Sequence, residues 1–121
     1  MVQLPQHTAH DEMPRISVEE LKKLVDENAN VLVLDAQQKR SFLQCHIKGA
    51  MHFPWKQRIT AIETRYLPKD KLLVVYCDCG PRDTDSSEVA AQLVALGYDN
   101  VKVLTDPSIK GWAEAGYPVE P

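Results

Sequence analysis

The chain has 121 residues, of which 44% are hydrophobic and 26% charged, and its formal net charge is −3. This length corresponds to one domain with a single core. Binding of nucleic acid or of an anionic membrane needs clustered positive charge, so the mild acidity argues against both partners. No apolar run approaches the ~18 residues of a membrane span, and residues 1–13 lack the basic start and the apolar stretch of a secretory signal.

The cysteine count indicates the redox compartment. Three cysteines, an odd number, cannot close a framework of disulfides, and without an export signal we expect a reducing, cytoplasmic setting. In such a setting a thiol is a buried apolar group, a metal ligand or a reactive group. We expect residues 1–13 to form a polar tail and residues 14–121 to form the single domain.

The first half of the chain predicts a helix, a buried strand and several short elements. Ser17 precedes apolar residues at helical spacing, and Glu20, three positions on, completes a capping box. The apolar run 31–34, which ends at Asp35, is typical of a strand covered on both faces. Further elements are predicted at 38–44 (helix), 51–53 (short strand) and 55–66 (amphipathic helix).

The second half contains the clearest strand–loop–helix unit. Residues 72–76 are apolar and rich in β-formers, which predicts a strand. The segment from Cys77 to Asp85 carries a glycine, a proline and three aspartates, and is predicted as a loop. A helix is expected over 86–96, with Asp85 as its cap. A strand at 101–104 and a short helix at 107–115 complete the pattern.

Strands that alternate with helices predict an α/β fold, with a mostly parallel sheet covered by helices on both faces. Chemistry in such sheets takes place at the carboxyl ends of the strands, which is where Asp35 and Cys77 lie. Converging N–H groups and the positive end of the next helix favour a thiolate at Cys77, which can attack sulfur and hold it as a persulfide. The alternative is that Cys77 is a small buried residue. Gly80 and Pro81 beside it are poor core material and favour the functional interpretation.

Motifs spread over 14–121 resemble those of the single-domain rhodaneses. The segment 46–50, His-Ile-Lys-Gly-Ala, resembles the family's His-Ile-x-Gly-Ala, and Tyr76-Cys77 resembles the strand end that carries the persulfide-forming cysteine. The C-terminal half is similar at 90–93, 97–101 and 112–119. The resemblance implies the rhodanese fold, a five-stranded parallel sheet flanked by helices. It also implies a role in sulfur metabolism, as a sulfurtransferase that moves sulfane sulfur through a Cys77 persulfide.

The resemblance also indicates which partners to expect. The donor is a small sulfur compound, such as thiosulfate, or a protein persulfide, and the acceptor is a thiol or another thiophilic group. We expect no cofactor, no metal, no nucleic acid and no membrane partner.

The loop after Cys77 departs from the family pattern and permits two alignments. Residues 77–82 fit Cys-x-x-Gly-x-Arg, but extra residues (83–86) then precede the helix start. A rhodanese subgroup whose loop begins Cys-x-Cys and runs straight into the helix fits equally, and that alignment places Arg82 elsewhere. In either case the predicted substrate-binding loop comprises Asp78, Cys79, Gly80, Pro81, Arg82, Asp83, Thr84, Asp85 and Ser86.

The charge of this loop bears on the sulfur donor. Three carboxylates (Asp78, Asp83 and Asp85) stand against the single guanidinium of Arg82. Nearby carboxylates disfavour a thiolate and repel an anionic donor such as thiosulfate. We therefore expect weak activity with thiosulfate and a preference for a neutral donor, a protein persulfide or a dedicated partner.

Two departures from the family pattern lie outside the loop. Gln37, a neutral amide, stands where the family usually has an arginine that helps to brace the site. Asp35 is a candidate for bracing the site, but capping of the following turn is its favoured role. Residues 105–107, Thr-Asp-Pro, replace the family's Gly-Gly turn, and we expect a remodelled edge of the site there.

Several alternatives remain at this stage. Cys79 is either a spectator or a resolving thiol for a Cys77 persulfide. A metal site needs three or four ligands, and Cys45 lies outside the loop, which disfavours one. A phosphatase on this fold needs five residues between the cysteine and the arginine, whereas Cys77 and Arg82 are separated by four. A different class of protein, a non-catalytic rhodanese-like module that binds a partner or senses sulfur or oxidants, is supported by the acidic loop and opposed by the retention of Cys77.

Overall fold

A computed structural model describes residues 13–78, 84–105 and 107–121. The predicted tail lies outside the described residues except for Met13, which is 3% exposed and belongs to the core. The strands are β1 Arg15–Ile16, β2 Val31–Asp35, β3 His46–Ile47, β4 Met51–His52, β5 Leu72–Tyr76, β6 Val101–Leu104 and β7 Val119–Glu120. The helices are α1 Val18–Asp26, α2 Lys39–Gln44, α3 Thr84–Ala95 and α4 Ile109–Glu114. Among the described residues, no helix is long and apolar enough to cross a membrane.

The main sheet confirms the predicted architecture. Its five strands are in the order β1-β6-β5-β2-β4, and every neighbouring pair is parallel. The two central strands, β2 and β5, run in register from Val31 opposite Leu72 to Asp35 opposite Tyr76. A second, antiparallel sheet joins β3 to β7. The carboxyl ends of β2 and β5 therefore lie side by side at one edge of the sheet.

Two apolar clusters cover the faces of the sheet. One face packs against α3 and against the segment that contains Ile59 and Leu67. The opposite face packs against α1 and α4, with Trp112 at the centre of the contact. Both central strands are buried on both sides, because their side chains alternate between the two clusters.

The segment 55–66 is not the amphipathic helix that its spacing predicts. It forms turns held by hydrogen bonds that span three residues, such as that from the Glu63 N–H to the Thr60 carbonyl, and Glu63 also accepts from the Thr60 N–H. Two of the four apolar residues that gave the helical spacing (Trp55, Ile59, Ile62 and Tyr66) are exposed, Ile62 by 69% and Tyr66 by 77%. The side chain of Gln92 on α3 holds the start of the segment, because it accepts from the Ile59 N–H and donates to a nearby carbonyl. Tertiary hydrogen bonds therefore replace a helical ladder.

The helix ends confirm one prediction and correct another. Ser17 caps α1, and the reciprocal bonds of the capping box with Glu20 are both present. Helix α3 begins at Thr84, so Asp85 lies in its first turn and is not its cap. The last three residues of the predicted loop, Thr84, Asp85 and Ser86, are therefore helical. The start of α3 packs against the core, and Ser86 is completely buried there. The last helix is shorter than the predicted 107–115.

Candidate active site

Cys77 follows β5 directly and is buried at the carboxyl edge of the sheet, with 1% of its surface exposed. Its side chain belongs to the apolar cluster on the α3 face of the sheet, whereas that of Tyr76 lies in the cluster on the opposite face. This alternation follows from the pleat of the strand, which sends successive side chains to opposite sides. The sulfur atom is thereby directed towards α3.

The first turn of α3 supplies a contact to that sulfur. Sγ of Cys77 lies 3.3 Å from Oγ of Ser86, the third residue of the helix, and both residues are buried. A helix N-terminus carries a partial positive charge, and hydroxyl groups there can donate to an anion. The position therefore favours a negatively charged sulfur when Cys77 is a reduced thiol.

A serine from the far end of the chain holds the Cys77 backbone. The Cys77 N–H donates to Oγ of Ser108 at 3.0 Å, and the Cys77 carbonyl accepts from the Ile109 N–H at 3.4 Å. Ser108 is fully buried with φ of +61°, a left-handed value that favours glycine. Such strain persists only where the surroundings enforce it, and here it accompanies the contact with Cys77. The remodelling expected at residues 105–107 stays a prediction, and Asp106 lies outside the described residues.

Arg15, whose role the sequence did not indicate, lies near the first turn of α3. Nη1 of Arg15, on the edge strand β1, donates to Oγ of Ser87 at 3.1 Å. Ser87 adjoins Ser86 in α3, so a guanidinium reaches the helix end that faces Cys77. No motif signalled this role, because Arg15 is 62 residues away in sequence and only the β1–β6 pairing brings it there.

Asp35 forms the other half of the sheet edge. Its carboxylate accepts from the Tyr76 hydroxyl, from the Gln37 N–H at 2.7 Å and from the Gln37 Nε2 amide at 2.8 Å. Burial raises the pKa of Asp35, and the bonds from Tyr76 and Gln37 partly counter that rise. The Tyr76 hydroxyl in turn accepts from the Ile47 N–H. Asp35 therefore caps its turn, as expected, and joins β2, β5 and β3 in one buried network.

Two histidines, His46 and His52, form hydrogen bonds to backbone carbonyls and stack on an aromatic ring. Nδ1 of His46 donates to the Phe42 carbonyl at 2.9 Å, and Nε2 of His52 donates to the Gln37 carbonyl at 2.8 Å. The Phe42 ring stacks on both imidazoles, with centroids 3.9 and 4.4 Å away. These contacts fix the turn after Asp35.

The acidic part of the predicted loop is only partly described. Asp78 is exposed, and the pKa of Asp85 is raised by burial and by the nearby carboxylates of Glu88 and Asp78. The rest of the predicted loop lies outside the described residues, namely Cys79, Gly80, Pro81, Arg82 and Asp83. Both loop alignments therefore stay open. Cys45 lies apart from Cys77, at the end of α2, as a free thiol. Within residues 13–78, 84–105 and 107–121, no group of three His, Cys, Asp or Glu side chains could hold a metal ion.

Comparisons with known proteins identify the family of this fold. The model of the rhodanese-like domain matches residues 17–115. A sulfurtransferase from Allochromatium vinosum is 30% identical over 104 residues, which cover 86% of this chain and 92% of that protein. The thiosulfate sulfurtransferase PspE of Escherichia coli is 26% identical over 81 residues, which cover 64% and 78%. A crystal structure of a Bacillus halodurans protein has a TM-score of 0.79 at 26% identity and covers 89% of this chain and 77% of that one. The chain belongs to the family of rhodanese-like domains.

Proposed function

We propose that this protein is a sulfurtransferase in which Cys77 carries sulfane sulfur as a persulfide. The observation that supports this most directly is the sulfur of Cys77 lying 3.3 Å from the Ser86 hydroxyl at the start of a 12-residue helix. The relatives named as sulfurtransferases support the same reaction class.

The reaction proceeds in two balanced steps. In the first step the Cys77 thiolate attacks the outer sulfur of the donor, the donor S–S bond breaks, and its electron pair leaves on sulfite or on a thiolate. In the second step an acceptor thiolate attacks the outer sulfur of the Cys77 persulfide, and the Cys77 thiolate is regenerated. Both steps are exchanges at sulfur, so, starting from the reduced Cys77 thiol, they need no further oxidant, reductant or cofactor.

Local charges argue for a restricted choice of donor. Asp78 and Asp85 repel a dianion such as thiosulfate, while Arg15 supplies one compensating charge at the helix start. The name of the Escherichia coli relative makes thiosulfate the reference donor. We expect turnover with thiosulfate to be weaker than turnover with a donor of lower charge, such as an organic persulfide or a protein persulfide.

The test begins with protein that has been reduced and freed of reductant. This protein is incubated with thiosulfate, inorganic polysulfide or an organic persulfide, and its intact mass is then measured by mass spectrometry. We expect a mass increase of one sulfur atom that is absent from Cys77→Ser and present in Cys45→Ser, the matched control at the other described cysteine. Cys79→Ser is expected to keep the adduct as well. If no donor leaves sulfur on the wild-type protein, the proposal is wrong and the chain is a non-catalytic binding or sensing module. Thiosulfate turnover that equals persulfide turnover would contradict the donor preference alone.

A further inference from the structure

A cavity of about 220 Å³ opens between α2 and α4, beside the backbone of Cys77. Asp78, the residue after Cys77, forms part of its wall, and so does Ile109, whose N–H donates to the Cys77 carbonyl. Cavities for drug-sized ligands measure roughly 300–1,000 Å³, so this one suits a smaller molecule.

The cavity wall presents one charge of each sign. Asp78 and Lys110 both line the cavity, and neither forms an ion pair with any residue that the structure describes. Two uncommitted charges of opposite sign complement a ligand that carries an ammonium group and a carboxylate. A dianion such as thiosulfate gains from Lys110 but is repelled by Asp78.

A buried acceptor in the same wall indicates where the ammonium group lies. Gln37 is 4% exposed, and its Nε2 donates to the Asp35 carboxylate at 2.8 Å and to the Cys45 carbonyl at 3.1 Å. Those two bonds fix the orientation of the amide, because both partners are acceptors. The remaining atom, Oε1, accepts no hydrogen bond from the described part of the chain. Buried polar atoms normally have a partner, and a ligand N–H in the cavity would supply one.

We propose that the cavity is a binding site for a small α-amino acid, with the ammonium group at Gln37 Oε1 and Asp78 and the carboxylate at Lys110. A molecule that carries both charges complements Asp78 and Lys110 together, whereas a molecule with one charge complements only one of them. The proposal concerns binding at this cavity, which lies on the α2 and α4 side of the sheet, and it goes beyond the proposed sulfur transfer.

Protection of Cys45 tests the site without sulfur chemistry. Cys45 lines the cavity and is partly exposed, so its alkylation by iodoacetamide reports occupancy. In a Cys77→Ser, Cys79→Ser background, we expect L-serine to slow the alkylation. Ethanolamine, which lacks the carboxylate, and 3-hydroxypropionate, which lacks the ammonium group, should each need about fivefold higher concentrations, the loss typical of one exposed ion pair.

Charge variants assign each half of the ligand. Lys110→Met should weaken L-serine about fivefold without weakening ethanolamine, whereas Asp78→Asn should weaken L-serine and ethanolamine without weakening 3-hydroxypropionate. Lys23→Met and Asp99→Asn remove exposed charges outside the cavity and should change nothing. The NMR signals of the Gln37 side-chain amide, which should shift with L-serine, give a second readout if Cys45 reacts slowly.

Two outcomes would overturn the site: no protection and no shift with L-serine, or equal affinity in the wild-type, Lys110→Met and Asp78→Asn backgrounds. Failure of the proposed function is distinguishable from these outcomes. If L-serine binds but no donor leaves sulfur on Cys77, the cavity stands and the sulfurtransferase proposal falls. If Cys77 takes up sulfur but L-serine does not bind, the reverse holds.

Discussion

The ends of the two central strands occupy equivalent places in the sheet but have different surroundings. Asp35 ends β2, and Cys77 follows β5 immediately beside it, since Asp35 is opposite Tyr76 in the register. Among the described residues, the Asp35 carboxylate accepts three hydrogen bonds, two from Gln37 in the following turn and one from the Tyr76 hydroxyl. The Cys77 sulfur instead points away from that network, towards the start of α3.

The difference shows that a strand end alone does not specify a function. A carboxylate that is held by several donors ties elements together, and its removal is expected to affect stability. A sulfur placed at a helix start is stabilised when it becomes an anion, and changes around it are expected to affect reactivity. The predictions below separate these two outcomes.

The largest expected effect is on the sulfur chemistry. Ser86→Ala should slow persulfide formation about 10- to 100-fold, because a hydrogen bond to a charged group contributes about 1.5–3 kcal/mol. Ser87→Ala is the matched control: Ser87 is equally buried, but it accepts from Arg15 and should cost about threefold at most. Single-turnover kinetics with an organic persulfide measure both rates. Equal slowing in the two variants would show that the hydroxyl beside the sulfur has no special role.

The next effect is on stability at the other strand end. Tyr76→Phe removes a donor to Asp35 and leaves the buried Ile47 N–H without its acceptor, so the free energy of unfolding should fall by about 2 kcal/mol. Urea unfolding measures the change. Persulfide formation by the folded protein should stay within about twofold of wild type. A large loss of rate without loss of stability would mean that the Asp35 network takes part in the chemistry.

A smaller effect on stability is expected at Ser108, whose hydroxyl accepts from the Cys77 N–H. Ser108→Ala removes the acceptor for the Cys77 N–H and keeps the strained backbone, so it should destabilise the fold by about 1–2 kcal/mol. Ser108→Gly loses the same bond but relieves the strain, and should be about 1 kcal/mol more stable than the alanine variant. Thermal or urea unfolding of the pair would contradict this account if alanine proved the better residue.

The smallest effect concerns pH. Burial raises the pKa of Asp35 in the folded state, so the folded protein binds that proton more tightly than the unfolded chain does. This residue's contribution to the free energy of unfolding should therefore rise as the pH falls through the folded pKa towards 3.8. Asp35→Asn lacks this contribution, so the stability of the wild type relative to the variant should increase over that range. Asp85→Asn should show the same sign with a smaller change, because Asp85 is less buried.

The regular part of the fold was predictable because its signals are local. The strands at 31–35, 72–76 and 101–104 are continuous apolar runs, and the capping box of α1 lies within four residues. The two-residue strands β1, β3 and β7 were not predicted, because so short a segment has no period and forms only by pairing with a distant partner. The prediction of a helix over 55–66 was wrong although the apolar residues do have helical spacing. Hydrogen bonds to Gln92 and within its own turns replace the helical hydrogen bonds there.

The sequence by itself determined that a cysteine follows a buried parallel strand in a chain of this family, and that an aspartate ends another such strand. Only the tertiary structure decided which residues surround the sulfur: Ser86 on one side, Ser108 at the backbone and Arg15 at the helix start. These residues come from three separate parts of the chain, and the parallel pairing of β1, β6, β5 and β2 brings them to one edge. No local pattern encodes that meeting, because it depends on the register between strands far apart in sequence. The strand ends were therefore predictable, whereas the division of roles between Asp35 and Cys77 was decided by their three-dimensional neighbours.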